Sequence, residues 1–195
     1  MVIPTLERHQ ELESCLRSLD AQTEQRFERI LIKERGPLAA LRNQGLSQAR
    51  ASVVCFIDDD TTCPPQWLAN LLDVFQSRPT VVGVTGPAVI PLESRRQRDL
   101  FRYPFLTPFY HLLFLHPESH LPGRITSAGA FTTAAAEEDC TYEGQVDYLE
   151  ACNMSFRTKA LNAVGGFDES YGGIGDWSEP DMSFRLRLRF GDHTL

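Results

Sequence analysis

The chain has 195 residues, 42% of them hydrophobic and 23% charged, and a formal net charge of -7. That is the composition of one folded globular domain able to bury most of its apolar surface, not of a disordered or fibrous chain. The acidic balance excludes a general nucleic-acid binder, which needs a basic face, so an anionic ligand must be met locally by a metal or a few arginines.

The five cysteines, Cys15, Cys55, Cys63, Cys140 and Cys152, include no CxxC and signal neither a zinc knuckle nor a disulfide framework, which points to a reducing compartment. No basic-then-apolar leader opens the sequence and no run approaches the ~18 apolar residues of a membrane span, so the expected location is cytoplasmic.

In chain order, "MVIPTL" predicts a strand and "LERHQELESCLRSLDAQ" a helix, with Leu12, Leu16 and Leu19 at helical spacing. "FERILIKE" predicts a second strand. "PLAALRNQGLSQARA" predicts a second helix, with Pro37 suited to its first turn and Leu38, Leu41 and Leu46 on one side. "SVVCFID" is the third strand, "PPQWLANLLDVFQ" the third helix and "VVGVTGPAVI" a further strand. From about residue 92 to 146 the pattern loosens into an excursion rich in Arg, Pro, His and aromatics. "VDYLEACNMSF" resumes as strand, "RTKALNAVGGFDE" is a helix stopped by Gly165 and Gly166, and "EPDMSFRLRLRF" is a last helix with Pro180 near its first turn. Strands alternating with helices imply an α/β fold, a mostly parallel sheet with helices on both faces and ligands beyond the carboxyl ends of the strands.

At one such end stands "CFIDDDTTCP". On an extended chain Asp58 and Asp60 point to the same side about 6.6 Å apart while Asp59 points away. Unit charges about 4 Å apart repel by about 4 kcal/mol at an effective dielectric near 20, so crowded carboxylates favour a raised pKa or a bound cation. Their hard oxygens suit Mg²⁺ or Mn²⁺ with phosphate oxygens and water completing the shell. The same residues would equally serve as a turn capping the next helix through Asp60, Thr61 or Thr62. A second acidic group, Glu179 and Asp181 in "DWSEPDMSFRLR", either caps the last helix or supplies a general base. Trp177 beside it offers a flat face to a sugar or belongs to the core. Arg8 and Arg42 lie near element ends where an anion could be received. The five histidines, His193 among them, show no metal-ligand spacing.

In this order the chain resembles glycosyltransferase family 2, the inverting, nucleotide-sugar-dependent enzymes of the GT-A (Rossmann-like) fold. The resemblance rests on "VIPTLERHQELESCLRSL", "GPLAALRNQGLSQARASVVCFIDDDTTCPPQWL", "YLEACNMSFRTKALNAVGGFDESY" and "EPDMSFRLRLRFG". It implies a single glycosyltransferase domain, with residues 1–91 as the nucleotide-sugar-binding half and 92–195 as the acceptor and catalytic half, and a family fold that continues past the C-terminus. It implies a metal, Mn²⁺ or Mg²⁺, on Asp60 and Asp58. The nucleotide sugar, a UDP, GDP or dTDP sugar, would meet Pro4, Thr5, Arg8, Arg42, Asp58 and Asp59. Glu179 would be the catalytic base and Asp181 a second acidic catalytic position, with Trp177 and Asn153 toward a glycan or lipid-linked acceptor.

Two departures from the family pattern stand out. Lys33 and Glu34 occupy the place of the usual Asp after the second strand, and the usual Glu-Asp pair is here Ser178-Glu179. Two other functions remain open on the sequence: a non-catalytic domain of this fold in a larger assembly, and a nucleotidyltransferase, for which "VIPTLERHQ" offers no Gly-rich phosphate loop. The segment "DLFRYPFLTPFYHLLFLH", with Phe101, Phe105, Phe109 and Phe114, adds peripheral docking at the inner membrane face as an alternative to a core role.

Overall fold

In a computed structural model of the chain, residues 1–6, 9–88, 123–125, 142–171 and 177–195 are described. Arg8 and the Phe101, Phe105, Phe109 and Phe114 segment lie outside them.

Strand β1 (Val2–Pro4) leads into α1 (His9–Asp20), β2 (Ile30–Ile32) into α2 (Leu38–Gln48), β3 (Val53–Phe56) into α3 (Trp67–Ser77), and β4 (Gly83–Thr85) follows. After the excursion come β5 (Met154–Arg157), α4 (Thr158–Ala163) and α5 (Ser178–Phe190), then a single 3-10 turn at Asp192–Thr194. The five strands are ordered β2-β1-β3-β5-β4. β1 is parallel to β2 and to β3, whereas β5 runs antiparallel to both β3 and β4. Four strands thus share one direction, as the strand–helix alternation predicts, and β5 alone is reversed. The expected strand "VDYLEACNMSF" is shorter than its apolar pattern, because only Met154–Arg157 pairs in the sheet.

Period-2 alternation sorts the core onto two faces. Val2, Val54 and Phe56 face one side, where Leu41 and Leu46 of α2, Leu161 of α4 and Met182 and Leu186 of α5 cover them. Met1, Ile3, Cys55 and Ile57 face the other, beneath Cys15 and Leu19 of α1 and Leu68, Leu71 and Phe75 of α3. Gly45 lets α2 lie against β1, since a Cβ there would collide with Val2. Cys15, Cys55 and Cys63 are buried free thiols, and Cys152 is a half-buried one.

Gly165 and Gly166 end α4 with φ of 85° and 73°, the left-handed region that suits glycine. The turn delivers Phe167, 2% exposed, onto the sheet. Its ring meets Phe56 edge-on at 5.2 Å and Phe156 at 6.3 Å. Among the described residues no helix is long and apolar enough to cross a membrane.

Truncating a fully buried ring of this cluster removes both its transfer energy and its edge contacts. Phe156→Ala is expected to destabilise the fold by about 3–5 kcal/mol, read as a lower urea midpoint.

Candidate active site

The parallel strands β1 and β3 end side by side, and their carboxyl ends open into a cleft of about 280 Å³. Pro4, Thr5 and Leu6 form one wall and Asp58, Asp59 and Asp60 another. Gly36, Leu38 and Leu41 from the start of α2 close it. The structure therefore brings together five residues the sequence nominated: Pro4, Thr5, Asp58, Asp59 and Asp60.

The expected geometry of the acidic triplet is corrected. The extended strand stops at Phe56 and the chain turns at Asp59–Asp60, closed by Thr61 N–H donating to the Asp58 carbonyl at 3.1 Å. Strand alternation therefore does not govern where these carboxylates point. Asp59 does not face away into solvent. It is 3% exposed and accepts a 2.6 Å hydrogen bond from the Thr5 hydroxyl, tying the end of β1 to the acidic turn. Asp58 is half-buried and Asp60 exposed. Burial pushes the Asp58 carboxyl above the usual range. Arg42 opposes that shift, while Asp60, Glu179 and Asp59 add to it.

Arg42, placed by the sequence near an element end where an anion could be received, is a buried residue. It is 1% exposed and is not among the residues that line the cleft. Its Nη1 donates to Glu179 Oε1 at 2.5 Å and to Ser178 Oγ at 3.4 Å. Its guanidinium lies 5.5 Å from the centre of the Phe167 ring. Nη2 is buried with no hydrogen-bond partner among the described residues. Glu179 is 7% exposed, and its Oε2 makes no hydrogen bond among the described residues.

The start of α5 that carries Glu179 is itself anchored. Ser183 Oγ donates to the Glu179 carbonyl at 2.8 Å and accepts from Leu149 N–H at 3.2 Å.

Asp181 accepts from Arg185 Nε at 2.7 Å, and Arg185 in turn donates to the carbonyls of Val164 and Gly166. Asp181 thus holds the glycine turn through Arg185. Trp177, immediately before α5, is 53% exposed. Asn153 is 9% exposed and accepts from Trp67 Nε1 at 3.0 Å. Lys33 and Glu34 are exposed in the loop after β2, where Glu34 accepts from Gln44 at 2.6 Å. His193 is hydrogen-bonded to Gln145 on the wall of a separate 570 Å³ cleft beside β4.

Two residues of the site escape a reading for chemistry. Asn43, the neighbour of Arg42, clamps Phe167 from both sides: its Nδ2 donates to the Phe167 carbonyl and its Oδ1 accepts from the Phe167 N–H, each at 2.8 Å. Phe167 is the floor under Arg42. The signal for it was the Gly165-Gly166 stop, which sets an aromatic in a tight turn, but nothing in the pattern says what that ring supports.

The donor set suits a hard divalent cation. Among the described residues no three His, Cys, Asp or Glu side chains converge on one ion, so the turn is not a complete metal cage. Mg²⁺ and Mn²⁺ ask for less, one or two carboxylates with phosphate and water oxygens beside them.

Against this geometry stand the comparisons. The profile described as Glycosyl transferase family 2 matches residues 32–138, more than half of the chain. The chain belongs to that family. A glucosyl-dolichyl phosphate glucuronosyltransferase of Haloferax volcanii is 26% identical to it over 141 residues, covering 69% of the chain and 36% of the relative. Among solved structures, the mannosyltransferase PcManGT from Pyrobaculum calidifontis, in complex with GDP-Man and Mn²⁺, superposes with a TM-score of 0.57 at 16% identity, over 97% of this chain and 51% of that one. Residues 1–349 of S. aureus TarS, in complex with UDP-GlcNAc, give a TM-score of 0.59 at 13% identity, over 96% and 52%. The fold is that of the GT-A glycosyltransferases, and the chain spans about half the length of these solved structures and about a third of the curated relative.

The raised Asp58 carboxyl makes a signed prediction. Its folded pKa lies above the unfolded one, so the stability penalty is absent below the ordinary carboxylate range and grows as pH rises through it, becoming complete above the folded value. Asp58→Asn is expected to melt at a higher temperature than the wild type at about pH 7 and to lose that advantage near pH 4, in melts recorded without divalent cations.

Proposed function

We propose that the chain carries the donor site and the base of an inverting glycosyltransferase, which moves a sugar from a nucleotide-sugar donor to a hydroxyl of a glycan, lipid-linked or small-molecule acceptor. The observation that carries this reading is the cleft at the ends of β1 and β3, walled by Asp58, Asp59 and Asp60, together with Glu179 held in a buried pair with Arg42.

In this reading Pro4 and Thr5 border the nucleotide, and Thr5 holds Asp59 as the frame of the turn. Asp60 and Asp58 would hold a divalent cation, Mn²⁺ or Mg²⁺, which would supply charge neutralisation for the diphosphate. Glu179 takes the proton of the acceptor hydroxyl on Oε2, the acceptor oxygen attacks the anomeric carbon from the face opposite the nucleotide, and the bond from that carbon to the diphosphate oxygen breaks as the nucleoside diphosphate leaves. Trp177 offers its exposed ring to the acceptor. Asn153 and Trp67 shape the floor toward the acceptor side, and Asp181 acts through the turn it supports. Residues 1–91 then form the donor half and 92–195 the acceptor and catalytic half.

The ligands of the similar structures, GDP-Man with Mn²⁺ in one and UDP-GlcNAc in the other, support a nucleotide-sugar donor and a divalent cation. The glucosyl-dolichyl phosphate in the Haloferax relative's name supports a lipid-linked acceptor.

Calorimetry against UDP, GDP and dTDP sugars with and without Mn²⁺ tests the donor half. Cation-dependent binding of at least one donor, lost in Asp60→Ala, is the expected result, and cation-independent binding or none would sink the reading. Glu179→Gln is expected to lower kcat by about 10²–10⁴-fold while nucleotide affinity stays within about 2-fold, measured by donor turnover and titration.

A further inference from the structure

On the reading of Glu179 as the base, we propose that Arg42 is its positioning residue, holding one carboxylate oxygen so that the other is presented to the acceptor, and that Arg42 is not a ligand of the nucleotide.

Three observations converge on this role. Arg42 is 1% exposed and is not among the residues lining the cleft, with Nη1 engaged with Glu179 and Ser178 and Nη2 buried. A nucleotide phosphate would have to reach a buried guanidinium and compete with Glu179 for Nη1. Next, the guanidinium is seated from below. It lies over Phe167, whose backbone is clamped by Asn43 and whose ring is braced edge-on by Phe56 and Phe156. A planar cation on a fixed aromatic floor presents its N–H groups in a fixed direction. Finally, the carboxylate it holds is engaged asymmetrically: Oε1 receives the 2.5 Å bond and Oε2 makes none among the described residues. The backbone of Glu179 is pinned independently by Ser183, so the Arg42 bond is left to set the side chain's direction.

A residue acting through Glu179 and one contacting nucleotide leave different kinetic signatures. The full chain is assayed for donor turnover and for UDP or GDP binding with Mn²⁺, as wild type, Arg42→Lys, Arg42→Gln, Glu179→Gln and the double variant Arg42→Gln/Glu179→Gln. Arg42→Gln is expected to lose about 10²-fold in kcat with nucleotide affinity within about 2-fold, and the double variant to be no slower than Glu179→Gln alone. Arg42→Lys restores the charge without the planar fork and is expected to recover only part of the loss.

The proposal is overturned if Arg42→Gln weakens nucleotide binding by about 10-fold or more, if the two losses multiply in the double variant, or if Arg42→Lys turns over at the wild-type rate. Should Arg42→Gln fail to fold, Arg42→Lys and the double variant, which replaces the ion pair with two neutral groups, carry the comparison. A wild type that turns over no donor would overturn the transferase reading instead, while the nucleotide affinity of Arg42→Lys would still decide whether Arg42 is a nucleotide ligand.

Discussion

Arg42 and Glu179 stand 137 positions apart in the chain, and neither charge has water to fall back on. An isolated buried charge is costly, and removing one partner of such a pair typically costs about 3–5 kcal/mol, whereas an apolar pair of similar volume often does as well or better. The pair is therefore poorly explained as a source of stability. What it does supply is a fixed relation between α2, which packs on β1 and β2, and the first turn of α5, which reaches the sheet only after the long excursion. Phe167, Asn43, Ser178 and Ser183 can all be understood as parts of the seat that this relation requires.

The sheet explains why that seat lies next to the acidic turn. Parallel β1 and β3 bring Thr5 and Asp58–Asp60 to the same edge, and the Thr5–Asp59 bond locks the two ends together. Phe56, the last residue of β3, packs against Phe167, and Phe167 in turn supports Arg42. A chain of contacts, ring edge to ring and ring under guanidinium, thus runs from the end of β3 to α2, and the Arg42–Glu179 pair carries it on to the first turn of α5. Asp58 lies where it is attracted by Arg42 and repelled by Glu179, Asp59 and Asp60, so any change of charge at one end is felt at the other.

Much of the fold was legible in the sequence because it rests on local periodicity. The strands alternate faces, the helices carry their leucines three and four apart, and Gly165-Gly166 announces a stop. The position of the acidic cleft followed from the rule that ligands gather at the carboxyl ends of parallel strands. The orientation of the three aspartates was not legible, because the alternation argument holds only while the chain stays extended and β3 ends before them. Arg42 illustrates a second limit. Its place near a helix start suggested a position where an anion could be received, but its surroundings are set by Phe167 and Glu179, contacts across more than a hundred residues that no local pattern encodes. The reversed direction of β5 was equally hidden, since a buried strand reads the same in either sense.

The departure at Ser178 acquires a physical meaning in this setting. The family pattern places an acidic residue at that position, beside the acidic residue that aligns with Glu179. Here Ser178 is fully buried and its hydroxyl lies 3.4 Å from Arg42 Nη1. A carboxylate there would set two anions against the one buried cation, Arg42, that the described residues place beside it, and desolvation would raise its cost. With a serine, the hydroxyl takes part of the donor capacity of Arg42 without adding charge, and the pair with Glu179 stays neutral. Moving the carboxylate onto a side chain one methylene longer than aspartate is then consistent with a fully buried arginine. A neutral hydroxyl at 178 is in this sense the residue type that the buried Arg42–Glu179 pair accommodates.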